Sequence, residues 1–184
     1  MIVIMAGLPA TGKSALARAL ASELNGMVVD KDSVRAALFS CWVDYTSEQD
    51  NLSMESVYSA VRYMARVHAT VPVFIDGRPF ARKVHLERAL EVIQETGALW
   101  CIIEATCSDE IARARLEASA SHLAANRTFE LYCALKSRLE PISSPKLIVN
   151  TEHPIEQCVQ ECLDYLARVK AAPAVSQHHQ SDRA

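Results

Sequence analysis

Gly7-Leu8-Pro9-Ala10-Thr11-Gly12-Lys13-Ser14 follows an apolar run at 1–6 and precedes a helical pattern. The fixed positions of the phosphate-binding pattern G-x-x-x-x-G-K-[ST] are all present, in the required order of strand, loop and helix. The chemistry explains the spacing. A di- or triphosphate needs many N–H donors converging on one point. Gly7 and Gly12 permit backbone conformations that a side chain would block, so the amides of 7–14 can turn inward as an anion nest. The helix starting near Gly12 aims its positive end at the same phosphates. Lys13 is expected on the β- and γ-phosphates of a nucleoside triphosphate, and the Ser14 hydroxyl on Mg²⁺.

Outward from this loop the chain alternates strand and helix. Strands are read at 1–6, 26–30, 72–76, 98–105 and 146–150. Helices are read at 12–24, 33–39, 47–70, 80–96, 108–118, 128–139 and 155–170. In the long helix Val57, Val61, Met64 and Val67 form one apolar face. Gly97 is placed to end the helix before it, and Ser108 to cap the one after. Such alternation predicts an α/β fold, a single P-loop NTPase domain over 1–170 with a five-stranded parallel sheet covered by helices on both faces. The expected strand order is 2-3-1-4-5. The small polar residues at 119–127 read as a lid, and 171–184 as a disordered tail.

Composition narrows the class. The chain has 184 residues, half of them hydrophobic, and a net charge of −3. That length suits one domain with a sizeable core. No block of five basic residues occurs, so a nucleic-acid partner is not expected. No apolar run is long enough to span a membrane, and the N-terminus reads as strand plus loop rather than a leader. A cytoplasmic location is the expectation. The six cysteines (41, 101, 107, 133, 158 and 162) are then expected reduced and packed. Cys158 and Cys162 stand one helical turn apart, but no histidine pair accompanies them, so packing is favoured over a metal site.

Ligands of open parallel sheets bind beyond the carboxyl ends of the strands, and the polar residues cluster there. Asp30-Lys31-Asp32-Ser33-Val34-Arg35 follows the second strand, and Asp76-Gly77-Arg78 the third. Phosphoryl transfer needs charge neutralisation and a group to take the proton of the incoming hydroxyl. Asp32 is the candidate base. Arg35 and Arg78 are candidates to hold the acceptor, with Trp42 and Tyr45 of the 40–45 loop lining its pocket. Asp76 ends an apolar strand as a Walker-B-type carboxylate does and would support Mg²⁺. Arg115 or Arg127 is expected as a lid arginine on the nucleotide. Arg113 is read as an ion-pair partner of Asp109 or Glu117, and Lys31 as solvated. The plain alternative is that Asp30, Asp32 and Ser33 only cap a helix and Arg35 only forms a surface ion pair.

These residues together resemble small P-loop kinases of the zeta-toxin, chloramphenicol-phosphotransferase and polynucleotide-kinase-like group, over most of 1–170. The resemblance implies that Asp32 is the general base, that Arg35 grips the acceptor, and that ATP is the donor. Relatives carry an arginine about four residues after the pair matching Arg115-Leu116, where this chain has Ser119, so Arg115 or Arg127 is expected to take its part. The expected activity is an ATP- and Mg²⁺-dependent kinase acting on a hydroxyl of a metabolite, sugar or antibiotic. The rival readings are a 5′-hydroxyl nucleic-acid kinase, which salt-dependent oligonucleotide binding would identify, and a nucleotide switch without phosphotransfer. The Asp32–Arg35 pair counts against the switch, which needs no base there.

Overall fold

The computed structural model describes residues 1–118 and 128–172. The element order is β1 (Ile2–Ala6), α1 (Lys13–Glu23), β2 (Met27–Asp30), α2 (Lys31–Phe39), α3 (Ser47–Val67), β3 (Val73–Asp76), α4 (Lys83–Glu95), β4 (Trp100–Thr106), α5 (Asp109–Ala118), α6 (Phe129–Lys136), β5 (Leu147–Asn150) and α7 (Ile155–Ala171). A 3₁₀ turn, Ser40–Trp42, links α2 to the stretch before α3. The strands form one sheet in the order β2-β3-β1-β4-β5, and every pairing is parallel. The expected α/β class and strand order are therefore those observed.

Strand periodicity explains the layering. Alternate residues of a strand face opposite sides of the sheet. Ile2, Ile4, Val73 and Ile75 pack with Val57 and Val61 of α3 and Ala89, Val92 and Ile93 of α4 on one face. Val3, Met5, Phe74 and Ile103 pack with Leu16 and Leu20 of α1 and Cys158, Cys162 and Leu166 of α7 on the other. A smaller apolar group, Leu8, Ala10, Ala112, Leu116 and Tyr132, seats the phosphate loop on α5 and α6. With both faces covered, the carboxyl edge of the sheet is where charge can meet solvent.

Several element ends differ from their sequence reading, each for a local reason. The second helix begins at Lys31, because the Asp30 side chain accepts from the Asp32 amide and caps it there. The helix expected from 80 begins at Lys83, since Phe80 is buried with φ of 54° and cannot be helical. The helix expected to 70 stops at Val67, where the His68 amide closes the last turn on the Met64 carbonyl. α7 runs one residue further than expected, to Ala171. Gly97 does end the helix before it, with φ of 66°. The expected lid at 119–127 and the tail from 173 lie outside the described residues.

The turn out of β1 ties the sheet to the site. Gly7 has φ of 130°, and its amide donates to the Pro79 carbonyl at 3.1 Å. A Cβ at this position would stand 2.3 Å from the Ala105 carbonyl oxygen of β4. Backbone cannot yield to such a contact, and the φ itself is strained for any side chain. Gly7→Ala is expected to lower unfolding free energy by at least about 2 kcal/mol in urea denaturation. An unchanged midpoint would mean that the loop can leave β4 freely.

Candidate active site

The phosphate loop is held open by its own side chains. The Thr11 hydroxyl donates to the Leu8 carbonyl at 2.8 Å, and the Lys13 ammonium donates to the same oxygen at 3.4 Å. Ala10 and Gly12 both take left-handed backbone, at φ of 63° and 83°. Gly12 stands at the N-terminal end of α1 with no side-chain cap, and the first turn holds no acidic residue. The positive end of α1 is therefore left for an external anion. Lys13 is buried in the wall of the loop and Ser14 is partly exposed beside it.

A cleft of about 610 Å³ opens along this loop, lined by Gly12, Lys13, Ser14, Arg18, Arg115 and His153 among others. Arg115 reaches it from α5 and braces the loop. Its guanidinium donates to the Ala10 carbonyl at 3.3 Å, to the Thr151 hydroxyl at 3.0 Å and to the Thr151 carbonyl at 2.7 Å. The Thr151 hydroxyl lies 2.7 Å from the Thr11 carbonyl oxygen. The segment after β5 is thus bonded to the phosphate loop, a role for Thr151 that its position far along the chain had concealed. Arg127 lies outside the described residues. Arg113, expected to pair with Asp109 or Glu117, instead lies over the Phe129 ring, 3.9 Å from its centroid. Its planar cation stacks where the next helix begins.

A second group of charges stands at the ends of β2 and β3. Asp30 and Asp76 are register partners across these strands. Asp30 is committed to the start of α2, accepting from the Asp32 amide at 3.0 Å and the Ser33 hydroxyl at 2.8 Å. Beyond it the Asp32 carboxylate stands 3.3 Å from the Arg35 guanidinium and 3.6 Å from the Lys31 ammonium. Lys31, expected to be solvated, is buried, because Asp50 draws it inward at 2.5 Å. Asp50 also binds Arg35 and Arg78. One carboxylate from the first turn of α3 thus gathers three cations from α2 and the loop after β3. Sequence reading missed Asp50, since nothing near it marks a site; α2 packing against α3 brings it there.

The other expected pocket residues divide. The Tyr45 ring lies against Arg35, 5.3 Å from the guanidinium carbon to the centroid. Trp42 is 81% exposed, and Gln49 holds the Trp42 carbonyl at 2.7 Å. Cys101, Cys158 and Cys162 are buried as expected, but Cys41 and Cys133 are exposed.

Asp76 is 1% exposed, and neither carboxylate oxygen has a hydrogen-bond partner among the described residues. A buried carboxylate without partners is costly. An acceptor-only group at a strand end, beside the phosphate loop, fits a hard cation such as Mg²⁺. The residues present therefore suit the metal that the loop motif implies.

Burial alone pushes the Asp50 carboxyl up, but the charges and hydrogen bonds of Lys31 and Arg78 outweigh it and hold the group down at about 2, from an ordinary 3.8. A carboxyl depressed on folding stabilises the protein above its unfolded value, and that contribution disappears as pH falls through the folded value. Asp50→Asn should therefore cost about 2 kcal/mol at neutral pH. The difference from the native chain should shrink between pH 4 and pH 2. Urea melts across that range would show it; a cost independent of pH would mean that Asp50 acts through packing.

The profile of the AAA domain family matches residues 2–142. No curated protein matches the sequence. Among solved structures, the APS kinase of Mycobacterium tuberculosis in complex with AMPPNP and APS superposes with a TM-score of 0.70 at 18% identity, over 90% of this chain and 96% of that one. Chaetomium thermophilum Kti12 in complex with ADP-AlF3 gives a TM-score of 0.70 at 16% identity, over 94% and 100%. A gluconokinase from Sinorhizobium meliloti 1021 gives 0.63 at 18%, over 91% of each. At these identities the likeness is one of fold. No helix among the described residues is long and apolar enough to cross a membrane.

Proposed function

The chain belongs to the AAA domain family, and from that premise we propose that it is a kinase transferring the γ-phosphoryl of ATP to a hydroxyl of a small-molecule acceptor. Within the family we place it with the zeta-toxin, chloramphenicol-phosphotransferase and polynucleotide-kinase-like group. The Asp-Lys-Asp-Ser-Val-Arg run after β2 is the reason. The observation that carries the reading is the position of Asp32. Its carboxylate stands free of the helix cap, which Asp30 supplies, and sits between Lys31 and Arg35 at the carboxyl edge of the sheet. A residue needed only to start α2 would not be arranged so.

Each group then has a role. The amides of the phosphate loop and the end of α1 bind the polyphosphate. Lys13 neutralises charge on the transferring phosphoryl. Arg115, fixed by Thr151 and Ala10, forms the wall of the nucleotide cleft. Ser14 and Asp76 would hold Mg²⁺, which when bound supplies charge neutralisation to the phosphate oxygens. Asp32 takes the proton of the acceptor hydroxyl. As that proton leaves, the acceptor oxygen bonds to the γ-phosphorus, the bond from that phosphorus to the bridging oxygen breaks, and ADP departs. Arg35 and Arg78 hold the acceptor beside Asp32. The nucleotide-bound state of two structural neighbours, one with AMPPNP and one with ADP-AlF3, supports the choice of ATP.

An acceptor found by screening hydroxylated metabolites for stimulated ADP release allows the direct test. Asp32→Asn should lower kcat by about 10²- to 10⁴-fold, the usual worth of a general base. Calorimetry should find MgATP binding unchanged in the same variant. Full turnover in Asp32→Asn would remove that residue from the role of base.

A further inference from the structure

We propose that Gly77 is a positioning residue for the proton transfer, an inference that rests on the kinase reading of this site. Because position 77 has no side chain, the loop after β3 lies directly against the first turn of α2 and so fixes Asp32 relative to the phosphate loop.

Two segments leave the sheet side by side here. Asp30 and Asp76 are register partners in β2 and β3. Lys31 then opens α2, and Gly77 turns away from β3 with φ of 89°. A Cβ on Gly77 would stand 2.5 Å from Asp30 Oδ1, 2.7 Å from the Lys31 amide nitrogen and 2.9 Å from Lys31 Cβ. All three atoms belong to the start of α2, and none can step aside cheaply. The Lys31 nitrogen is main chain. Asp30 Oδ1 accepts from the Asp32 amide at 3.0 Å and Asp30 Oδ2 from the Ser33 hydroxyl at 2.8 Å, so the carboxylate is pinned at both oxygens. A methyl group at 77 would have to break this cap or push the first turn of α2 outward. Asp32 is the residue that moves with that turn.

The same loop is tied to the donor side. Two residues beyond Gly77, the Pro79 carbonyl accepts from the Gly7 amide at 3.1 Å. The next residue, Phe80, is buried in the core and anchors the loop. A short path of main chain therefore runs from the phosphate loop through Pro79 and Gly77 to Lys31 and Asp32. Proton transfer needs the base within hydrogen-bond reach of the hydroxyl that attacks the γ-phosphorus. A misplacement of about 1 Å can cost about 10²-fold in rate.

Gly97 supplies the contrast. It also takes left-handed backbone, at φ of 66°, but a Cβ there would meet no described atom within 4 Å. It precedes β4, at the opposite edge of the sheet from the phosphate loop. Alanine brings the strain of left-handed backbone at either position. Only at 77 does it also meet α2. If glycine were needed at 77 for backbone conformation alone, the two substitutions would affect turnover alike.

The first test needs no turnover. Hydrogen exchange is followed by NMR in the native chain, Gly77→Ala and Gly97→Ala, with the amides of β1 as the reference for opening of the whole fold. Relative to that reference, the Asp32 amide should exchange about tenfold or more faster in Gly77→Ala, the effect of losing a helix cap. It should be unchanged in Gly97→Ala. Native protection of the Asp32 amide in Gly77→Ala would overturn the proposal.

The second test reads catalysis, with an acceptor found by stimulated ADP release. Gly77→Ala should lower kcat by about 10²-fold, with MgATP affinity unchanged by calorimetry, and Gly97→Ala should keep the native kcat. In the Asp32→Asn background Gly77→Ala should cost nothing further, since the group it misplaces is gone. Native turnover in Gly77→Ala, or an undiminished second loss on top of Asp32→Asn, would overturn the proposal. If Gly77→Ala does not fold, Asp30→Ala removes the same cap from the other side and must show the same exchange and the same fall in kcat; native values there also overturn it. Full turnover in Asp32→Asn would sink the kinase reading's base and the positioning role together. The expected loss in Asp32→Asn beside native turnover in Gly77→Ala would sink the positioning role alone.

Discussion

A parallel sheet buried on both faces can place charge in only a few positions, and this constraint arranges the molecule. Both layers of helix bury the central strands β1 and β3. The charged residues of the central strands therefore gather at the carboxyl edge, where loops leave the sheet. Gly7 leaves β1 under the Ala105 carbonyl, Asp76 ends β3, and Asp30 ends β2 and begins α2. The phosphate loop and the acidic strand ends come together because the fold has nowhere else for them.

The legible part of the chain follows from this. Gly7 to Ser14, Asp32 and Asp76 stand directly after strands, so hydrophobic runs pointed to them. The strand order and layering followed from the alternation of β and α. What was not legible depends on contacts between distant segments. Asp50 lies inside a helix with no motif near it, and only α2–α3 packing gives it three cations. Thr151 reaches the phosphate loop from 140 residues away in sequence. Lys31 read as solvated because a lysine beside a loop usually is; the buried partner was invisible. Trp42 read as a pocket residue from its type and place, and its 81% exposure depended on the turn that carries it.

The two halves of the site are built on opposite principles. Around the phosphate loop side chains hold the loop's shape: Thr11 on Leu8, Arg115 on Ala10 and Thr151, Thr151 on Thr11. Such preorganisation lowers the reorganisation required when polyphosphate binds. At the ends of β2 and β3 the reverse holds. Two arginine Nε–H groups, a tyrosine hydroxyl and a carboxylate are buried without partners among the described residues. Each lowers stability by an amount on the order of 1–3 kcal/mol, more where charge is involved. Functional sites are where natural chains keep such local conflicts.

Asp50 joins these halves of the energetic picture to the surface above them. It occupies the first turn of α3, which the Thr46 hydroxyl caps at the Gln49 amide, 3.2 Å away. Its neighbour Gln49 grips the preceding segment from both sides, donating to the Trp42 carbonyl at 2.7 Å and accepting from the Asp44 amide at 3.1 Å. Tyr45, in left-handed backbone at φ of 56°, lays its ring on Arg35. A shift of Asp50 away from its cations would therefore move the turn that carries Gln49, and with it the 42–46 segment. The charge network and the rim of the pocket are one mechanical unit, because the residue that neutralises the cations and the residue that anchors the rim are adjacent on the same helical turn.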